Sequence, residues 1–563
     1  MSMRPSEPSF IALYTPKLVT VLREGYGLAG LRADIVAGLT VAIVALPLSM
    51  AIAIASGVSP DRGLYTAIVG GFLVSLLGGS RFQVGGPAGA FIVLVAATVQ
   101  QHGIDGLLLA TLISGLVLVI GGFLRLGDFI KYIPFPVTVG FTAGIAAIIF
   151  ASQMKEALGL TLAGDEPGPF LPKLLALEAA LPTVNLAAVM IAGLTIGLIL
   201  IVRAVNQRWP ALLIAIAAAT LAAALFDLPV ATIASRFGGI PHALPLPRLP
   251  AMDMPLFLAV LPNALAFALL GSIESLLSAV VADSMTGRRH RSNCELVAQG
   301  VANIGTSLFG GICVTGTIAR TATNVRAGAR GPVAGMMHAL FLLLFMLLAA
   351  PLAGYIPLAA LAGLLMVVAW NMIERHQIMM LLRTSRGEAL VLVVTLTLTV
   401  FRDLIEGIVA GFALSALLFI HRMAQSVAVE TGMPVATADR ADDAGGERKP
   451  YDSGIATDRD IVVYRISGAF FFGAAASVGA ALEDIGVSPK AYVIDFAAVS
   501  VIDSTAASAI GAFVRKAQGQ NAKVFISSAR PAVERILAGH DIHPPSTVFA
   551  PTLDAALAAA RSG

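Results

Sequence analysis

The sequence predicts a polytopic α-helical membrane protein of about fourteen segments, built as two inverted sets of seven and followed by a small α/β domain. Three observations predict it. Of 563 residues, 57% are hydrophobic and 13% charged, well outside the range of soluble globular domains. Apolar runs of about 17 to 25 residues, long enough to cross a hydrocarbon core as helices, recur up to the region of residue 425. Two short segments rich in small residues fall at matching places, third in each half.

AGLTVAIVALPLSMAIAIASG (37–57) and TVNLAAVMIAGLTIGLILIV (183–202) typify the long runs. They lack polar/apolar alternation, so helices rather than barrel strands satisfy their backbone in lipid. Segments begin near residues 37, 64, 86, 106, 133, 183, 209, 256, 294, 317, 332, 353, 388 and 404. Residues 1–30 form an N-terminal stretch without a cleavable leader, and the membrane region spans 31–425, with repeats at about 31–230 and 255–425. With a cytoplasmic N-terminus, inside loops carry Arg81, Arg125, Lys131, Arg203, Arg208, Arg288, Arg289, Arg291, Arg326, Arg330, Arg375, Arg383, Arg386 and Arg422. Outside loops carry Arg62, Lys155, Lys173, Arg236, Arg248 and Arg402. That asymmetry places both termini in the cytoplasm at the inner (plasma) membrane.

A net charge of +3, spread over short loops, points away from a nucleic-acid partner. Cys294 and Cys313 both lie in or beside apolar segments, which argues against a disulfide framework or a metal site. No HExxH, GxSxG, Walker A or zinc-spaced set is present, so the chain reads as a non-enzyme without a cofactor.

Segment 3 starts at GGPAGAF (85–91) and segment 10 at TGTIARTATN (315–324). Seven segments is an odd number, so the second copy enters the membrane upside down, and discontinuous helices in such repeats meet near the midplane. Helix N-termini present unpaired N–H groups and partial positive charge, so two aimed at one point make an anion site without a cofactor. Pro87 suits a first helical turn, while Gly85, Gly86 and Gly89 permit close backbone approach. A buried arginine costs at least about 2.5–3.5 kcal/mol at the bilayer centre, so Arg320 has a partner or a job. The bland alternatives are a structural ion pair for Arg320 and close helix packing for the glycines.

Glu274 lies in the middle of segment 8 with Ser278 one turn on. An isolated carboxylate there exchanges protons or helps ligate Na⁺; otherwise it is a neutral acid bonded between helices. Asp283 reads as an end-of-helix charge, RRHR (288–291) as a topology-setting loop, with binding of anionic lipid or the soluble domain as the alternative, and His338 as a satisfied interhelical residue rather than a ligand.

Residues 434–459 are polar and Gly-containing, making 426–459 a linker. Beyond it, IVVYRIS, AYVIDFA and AKVFISS read as buried strands. STAASAIGAFVRKAQ, RPAVERILAG and PTLDAALAAARS read as helices of an α/β domain over 460–563.

SGVSPDRGLYTAIVGG, GGSRFQVGGPAGAF, YIPFPVTVGFTAGI, SIESLLSAVVADSMTG, GGICVTGTIARTATNVRAGAR and VIDFAAVSVIDSTAASAI, in this order, resemble the SulP family of anion transporters that end in a STAS domain. The wording is nearest to bacterial proton-linked C4-dicarboxylate transporters. The resemblance implies a core of segments 1–4 and 8–11 moving against a gate of segments 5–7 and 12–14. It puts the anion between the ends of segments 3 and 10, near Gly86, Pro87, Ala88, Gly89, Ala319, Arg320 and Thr321. It assigns ion coupling to Glu274 with Ser278, favouring H⁺ and leaving Na⁺ as the alternative. Pro47-Leu48-Ser49 stands where many members have Pro-Gln, which removes one substrate contact of the sulfate type. Ser504, after Asp503, matches a phosphorylated serine of related anti-sigma antagonists or is a plain N-cap residue. The implied activity is secondary active symport of a small anion (C4-dicarboxylate, sulfate or bicarbonate) by a homodimer in the bilayer, with a cytoplasmic protein partner at the STAS domain. The rivals are a Na⁺-coupled bicarbonate or sulfate symporter, an uncoupled anion channel, and a receptor without transport.

Overall fold

The computed structural model describes residues 10–130, 134–164, 166–206, 209–425, 428–431, 460–471 and 489–562. Two compact units divide the chain, Met1–Phe412 and Ala413–Gly563. Each is taken by itself.

Eight helices among the described residues, seven in the first unit and one crossing out of it, are long and apolar enough to cross a membrane. Segment 1 is Leu28–Ala55. Segment 2 covers 60–77 and contains a π-helical stretch, Thr66–Gly70. Segments 3 and 4 lie within Gly89–Phe123, separated at Gly103, whose φ of 69° and ψ of −169° no helix interior adopts. Segments 5, 6 and 7 are Phe135–Leu158, Leu186–Val205 and Ala211–Leu225. The second set is Met254–Thr286, Ser292–Leu308, Ile318–Arg326, Val333–Gly354, Leu358–Met372, Arg386–Phe401 and, crossing into the second unit, Leu404–Gln425. Segment 10, at nine residues, rises only about 13 Å, less than half a hydrocarbon core. The segments begin close to where hydropathy put them. Short helices such as Lys17–Arg23 and Phe170–Ala179 fill the connections.

The packing carries the repeat. Segment 1 packs on 11 and 10, as segment 8 packs on 4 and 3; segment 2 packs on 11 as 9 packs on 4; segment 5 packs on 13 as 12 packs on 6. Advancing each helix by seven places converts one contact into the other, as two copies of one unit require. Segments 4 and 9 cross closely. An added Cβ on Gly115 would stand 2.6 Å from the Gly300 carbonyl oxygen, and one on Gly300 2.5 Å from that of Gly115, so only glycine lets these backbones touch. Segments 1–4 and 8–11 pack chiefly on one another, as do 5–7 with 12 and 13. The two groups meet where segments 7 and 12 touch segment 1 and segment 5 touches the start of segment 3.

The second unit has a five-stranded sheet of order β3–β7: β3 is Ala428–Thr431, β4 Ile461–Phe470, β5 Ala491–Ile502, β6 Lys523–Ser527 and β7 Val548–Ala550. Strands β4 to β7 are parallel and β3 pairs antiparallel with β4. The sheet therefore begins inside the stretch read as linker, the rest of which lies outside the described residues. Ile466, Ile494, Phe496, Ile510 and Phe513 form its core with the helix Ser504–Gly519. Buried Asp495 is held by Arg465 Nε at 2.9 Å and by the Ser527 hydroxyl at 3.0 Å.

Candidate anion site

The remaining two strands lie inside the membrane unit. β1 (Gly85–Gly86) pairs antiparallel with β2 (Thr315–Gly316), Gly85 opposite Gly316 and Gly86 opposite Thr315. Thr317 N–H donates to the Val84 carbonyl at 3.1 Å. This two-residue ladder joins the chain entering segment 3 to the chain entering segment 10 and satisfies backbone groups that lipid could not. The helices then start at N-caps Ala88 and Thr317, neither with a side-chain cap. Both N-termini keep their first N–H groups unpaired, side by side. Pro87 follows the ladder and precedes the cap, Ala88, instead of occupying the first helical turn.

Arg320 comes from the first turn of segment 10 and is 1% exposed. Its Nη2 donates to Ser49 Oγ at 3.1 Å and to the Pro87 carbonyl at 3.2 Å, spanning segments 10, 1 and 3. Nε and Nη1 have no hydrogen-bond partner. A Cβ on Gly86 would stand 1.7 Å from Nη1, so Gly86 is the space into which the guanidinium fits. Ala88 is buried and Gly89 half-buried, whereas Ala319 is exposed. A Cβ on Gly89 would meet Ile149 of segment 5 and Met372 of segment 12 at 3.6 Å, so the segment 3 terminus faces the other helix group.

Segment 8 is fastened to the same place. Thr315 Oγ1 donates to the Gly271 carbonyl at 3.2 Å, and Ser278 Oγ donates to Thr321 Oγ1 at 3.0 Å. Thr321 Oγ1 also accepts from Val84 N–H at 3.2 Å. Glu274 lies between these two ties, three residues after Gly271 and four before Ser278. Its Oε2 is buried without a hydrogen-bond partner among the described residues. Gly86, Pro87, Ala88, Arg320 and Thr321 are thus brought together, with Glu274 and Ser278 beside them on segment 8.

Sequence reasoning missed several neighbours. Ser49, noted only for what it is not, holds Arg320. Gln83 Nε2 donates to Glu295 at 3.0 Å, and that buried carboxylate also accepts from Ser80 N–H at 3.0 Å and Gln299 Nε2 at 2.9 Å. A glutamate in the first turn of segment 9 was the signal. His338 corrects its expectation: it is 0% exposed and, among the described residues, neither ring nitrogen has a hydrogen-bond partner; Gly71, without a side chain, lies against its ring. Asp283 does end its helix as a structural charge, 2.7 Å from His290 Nδ1. In the second unit Asp503, not Ser504, is the N-cap, accepting from Ala506 N–H at 2.9 Å. Ser504 is the exposed first residue of that helix.

Residues 31–395 match the sulfate permease family and residues 455–556 the STAS domain. The chain belongs to the sulfate permease family. YvdB of Bacillus subtilis, which bears a sulfate-transporter name, is 38% identical over 519 residues, covering 91% of this chain and 94% of that one. The bicarbonate transporter BicA of Synechocystis is 31% identical over 526 residues, 90% of each. The solved transmembrane domain of a cyanobacterial BicA aligns with a TM-score of 0.62 at 32% identity, over 68% of this chain and 98% of that one. SLC26A9 aligns with a TM-score of 0.84 over 98% and 93%, and at 17% identity shows the shared fold alone. These relatives are named as transporters, not enzymes.

Proposed function

We propose that this chain is a secondary active carrier that holds a small oxyanion between the N-termini of segments 3 and 10 and couples its entry to a proton on Glu274. The observation that carries the reading is the β1–β2 ladder, which sets two uncapped N-termini beside an Arg320 that keeps two nitrogens unengaged. Unpaired N–H groups, two helix dipoles and a guanidinium with free donors are complementary to negative charge and to little else. The sulfate and bicarbonate names of the relatives support an inorganic oxyanion; the C4-dicarboxylate reading rests on wording alone and has no support from them. The packing into two helix groups, with Gly89 at their contact, supports rocking of one group against the other.

A proton is favoured over Na⁺ because, among the described residues, Glu274 Oε2 has no hydrogen-bond partner, and the hydroxyl one turn on already donates to Thr321. An inside-negative membrane opposes anion entry by about 2.3 kcal/mol per charge per 100 mV, which a co-transported proton offsets. The same reading includes a homodimer with both termini cytoplasmic, supported by the family and by the loop arginines.

The test is uptake of labelled sulfate and bicarbonate into vesicles containing the full chain, at several pH gradients, with and without Na⁺. Wild type accumulates anion when the outside is acidic, and Glu274→Gln loses that accumulation. Gradient-driven uptake unchanged in Glu274→Gln defeats the coupling assignment. Current without accumulation in wild type defeats the carrier.

A further inference from the structure

The arginine-rich loops do more than set topology. A cleft of about 540 Å³ opens where the helix Lys17–Arg23, the start of segment 1 and the loops after segments 2, 8 and 10 converge, with Glu24, Tyr26, Arg81, Phe82, Arg288 and Arg330 in its wall. The wall is firmly built. Buried Asp34 accepts from Tyr26 Oη at 2.6 Å, Arg330 N–H at 2.6 Å and Gly331 N–H at 3.2 Å, tying segment 1 to the loop after segment 10. Arg81 forms a two-pronged ion pair with Glu24, which consumes the acid in this wall. Arg288 and Arg330 are exposed, and among the described residues their guanidinium groups make neither a hydrogen bond nor a direct ion pair.

An apolar track leads away from the mouth. Leu22 is 55% exposed, and on segment 1 Leu28, Val36 and Leu39 are 74%, 60% and 43% exposed. Their spacing keeps them on one helix face.

We infer that this cleft is a binding site for an anionic phospholipid, its headgroup phosphate on Arg288 and Arg330 and its acyl chains along Leu28, Val36 and Leu39. Unpaired arginines match phosphate oxygens through charge-assisted bonds. The adjoining track distinguishes a lipid from free phosphate, which has no use for it. Arg288 and Arg330 come from the loops flanking segments 9 and 10, so such a lipid links the two.

The test uses the full chain purified from vesicles of phosphatidylcholine with and without phosphatidylglycerol, bound lipid being read by native mass spectrometry. Wild type retains phosphatidylglycerol preferentially. Arg288→Gln with Arg330→Gln lowers that retention roughly tenfold or more, at about 1 kcal/mol per basic residue. Arg383→Gln with Arg386→Gln, exposed arginines outside the cleft, leaves it unchanged, and all variants keep the wild-type elution volume. Equal retention by the cleft variant, equal loss in the control pair, or displacement of the lipid by inorganic phosphate each overturns the assignment.

Discussion

The two half-helices that meet at the candidate site share a backbone plan and differ in side chains. Segment 3 arrives through Gly85, Gly86, Pro87, Ala88 and Gly89, which supply N–H groups, one carbonyl and empty volume. Segment 10 arrives through Thr315, Thr317, Arg320 and Thr321, which supply hydroxyls and charge. The ladder between them is symmetric and the chemistry is not. Gly86 has no side chain because Arg320 occupies its place, and Arg320 reaches across because nothing on segment 3 blocks it. An inverted repeat thus supplies matched backbone ends, and divergence of the halves divides the work between room and charge.

That division can be broken most severely from the charged side. Arg320→Gln should lower sulfate or bicarbonate uptake in vesicles by at least about 30-fold, since losing a buried charged partner costs about 2–5 kcal/mol. Uptake near wild type would mean that the backbone ends alone hold the anion. From the roomy side, Gly86→Ala should cost about tenfold to 100-fold, because its Cβ would overlap Arg320 and overpacking costs about 1–3 kcal/mol. Gly89→Ala, whose Cβ meets neighbours only at van der Waals distance, should stay within about threefold, under ~1 kcal/mol. Equal losses at both glycines would show that crowding in general, rather than displacement of Arg320, sets the rate. An effect between those of the two glycines is expected at the tie from segment 8. Ser278→Ala removes one hydroxyl bond to Thr321, about 1 kcal/mol or fivefold, and should weaken anion binding while leaving the response to a pH gradient intact. Loss of that response would assign Ser278 to coupling together with Glu274.

Much of this was legible in order along the chain. The segment starts, the strands and helices of the second unit, and the small-residue entries to segments 3 and 10 follow from hydropathy, periodicity and turn chemistry, all properties of short windows. The site itself was partly legible: Arg320 and Glu274 declared themselves as charges in apolar surroundings. Ser49 did not, since a serine in a membrane helix most often bonds its own backbone, as Ser49 also does to Ala45. The emptiness around His338 and the role of Asp503 as cap were likewise invisible, because each depends on a neighbour or a backbone angle.

The sequence alone determined that the chain crosses a membrane repeatedly, that its halves correspond, and which residues are too costly to bury without purpose, because transfer from water to hydrocarbon is charged residue by residue. Only the tertiary structure decided that Arg320 bonds Ser49, 271 positions away, that Gln83 bonds Glu295, and that Gly86 is the space for a guanidinium. Those pairings depend on which helices become neighbours, and that is settled by the packing of the whole bundle rather than by any local pattern.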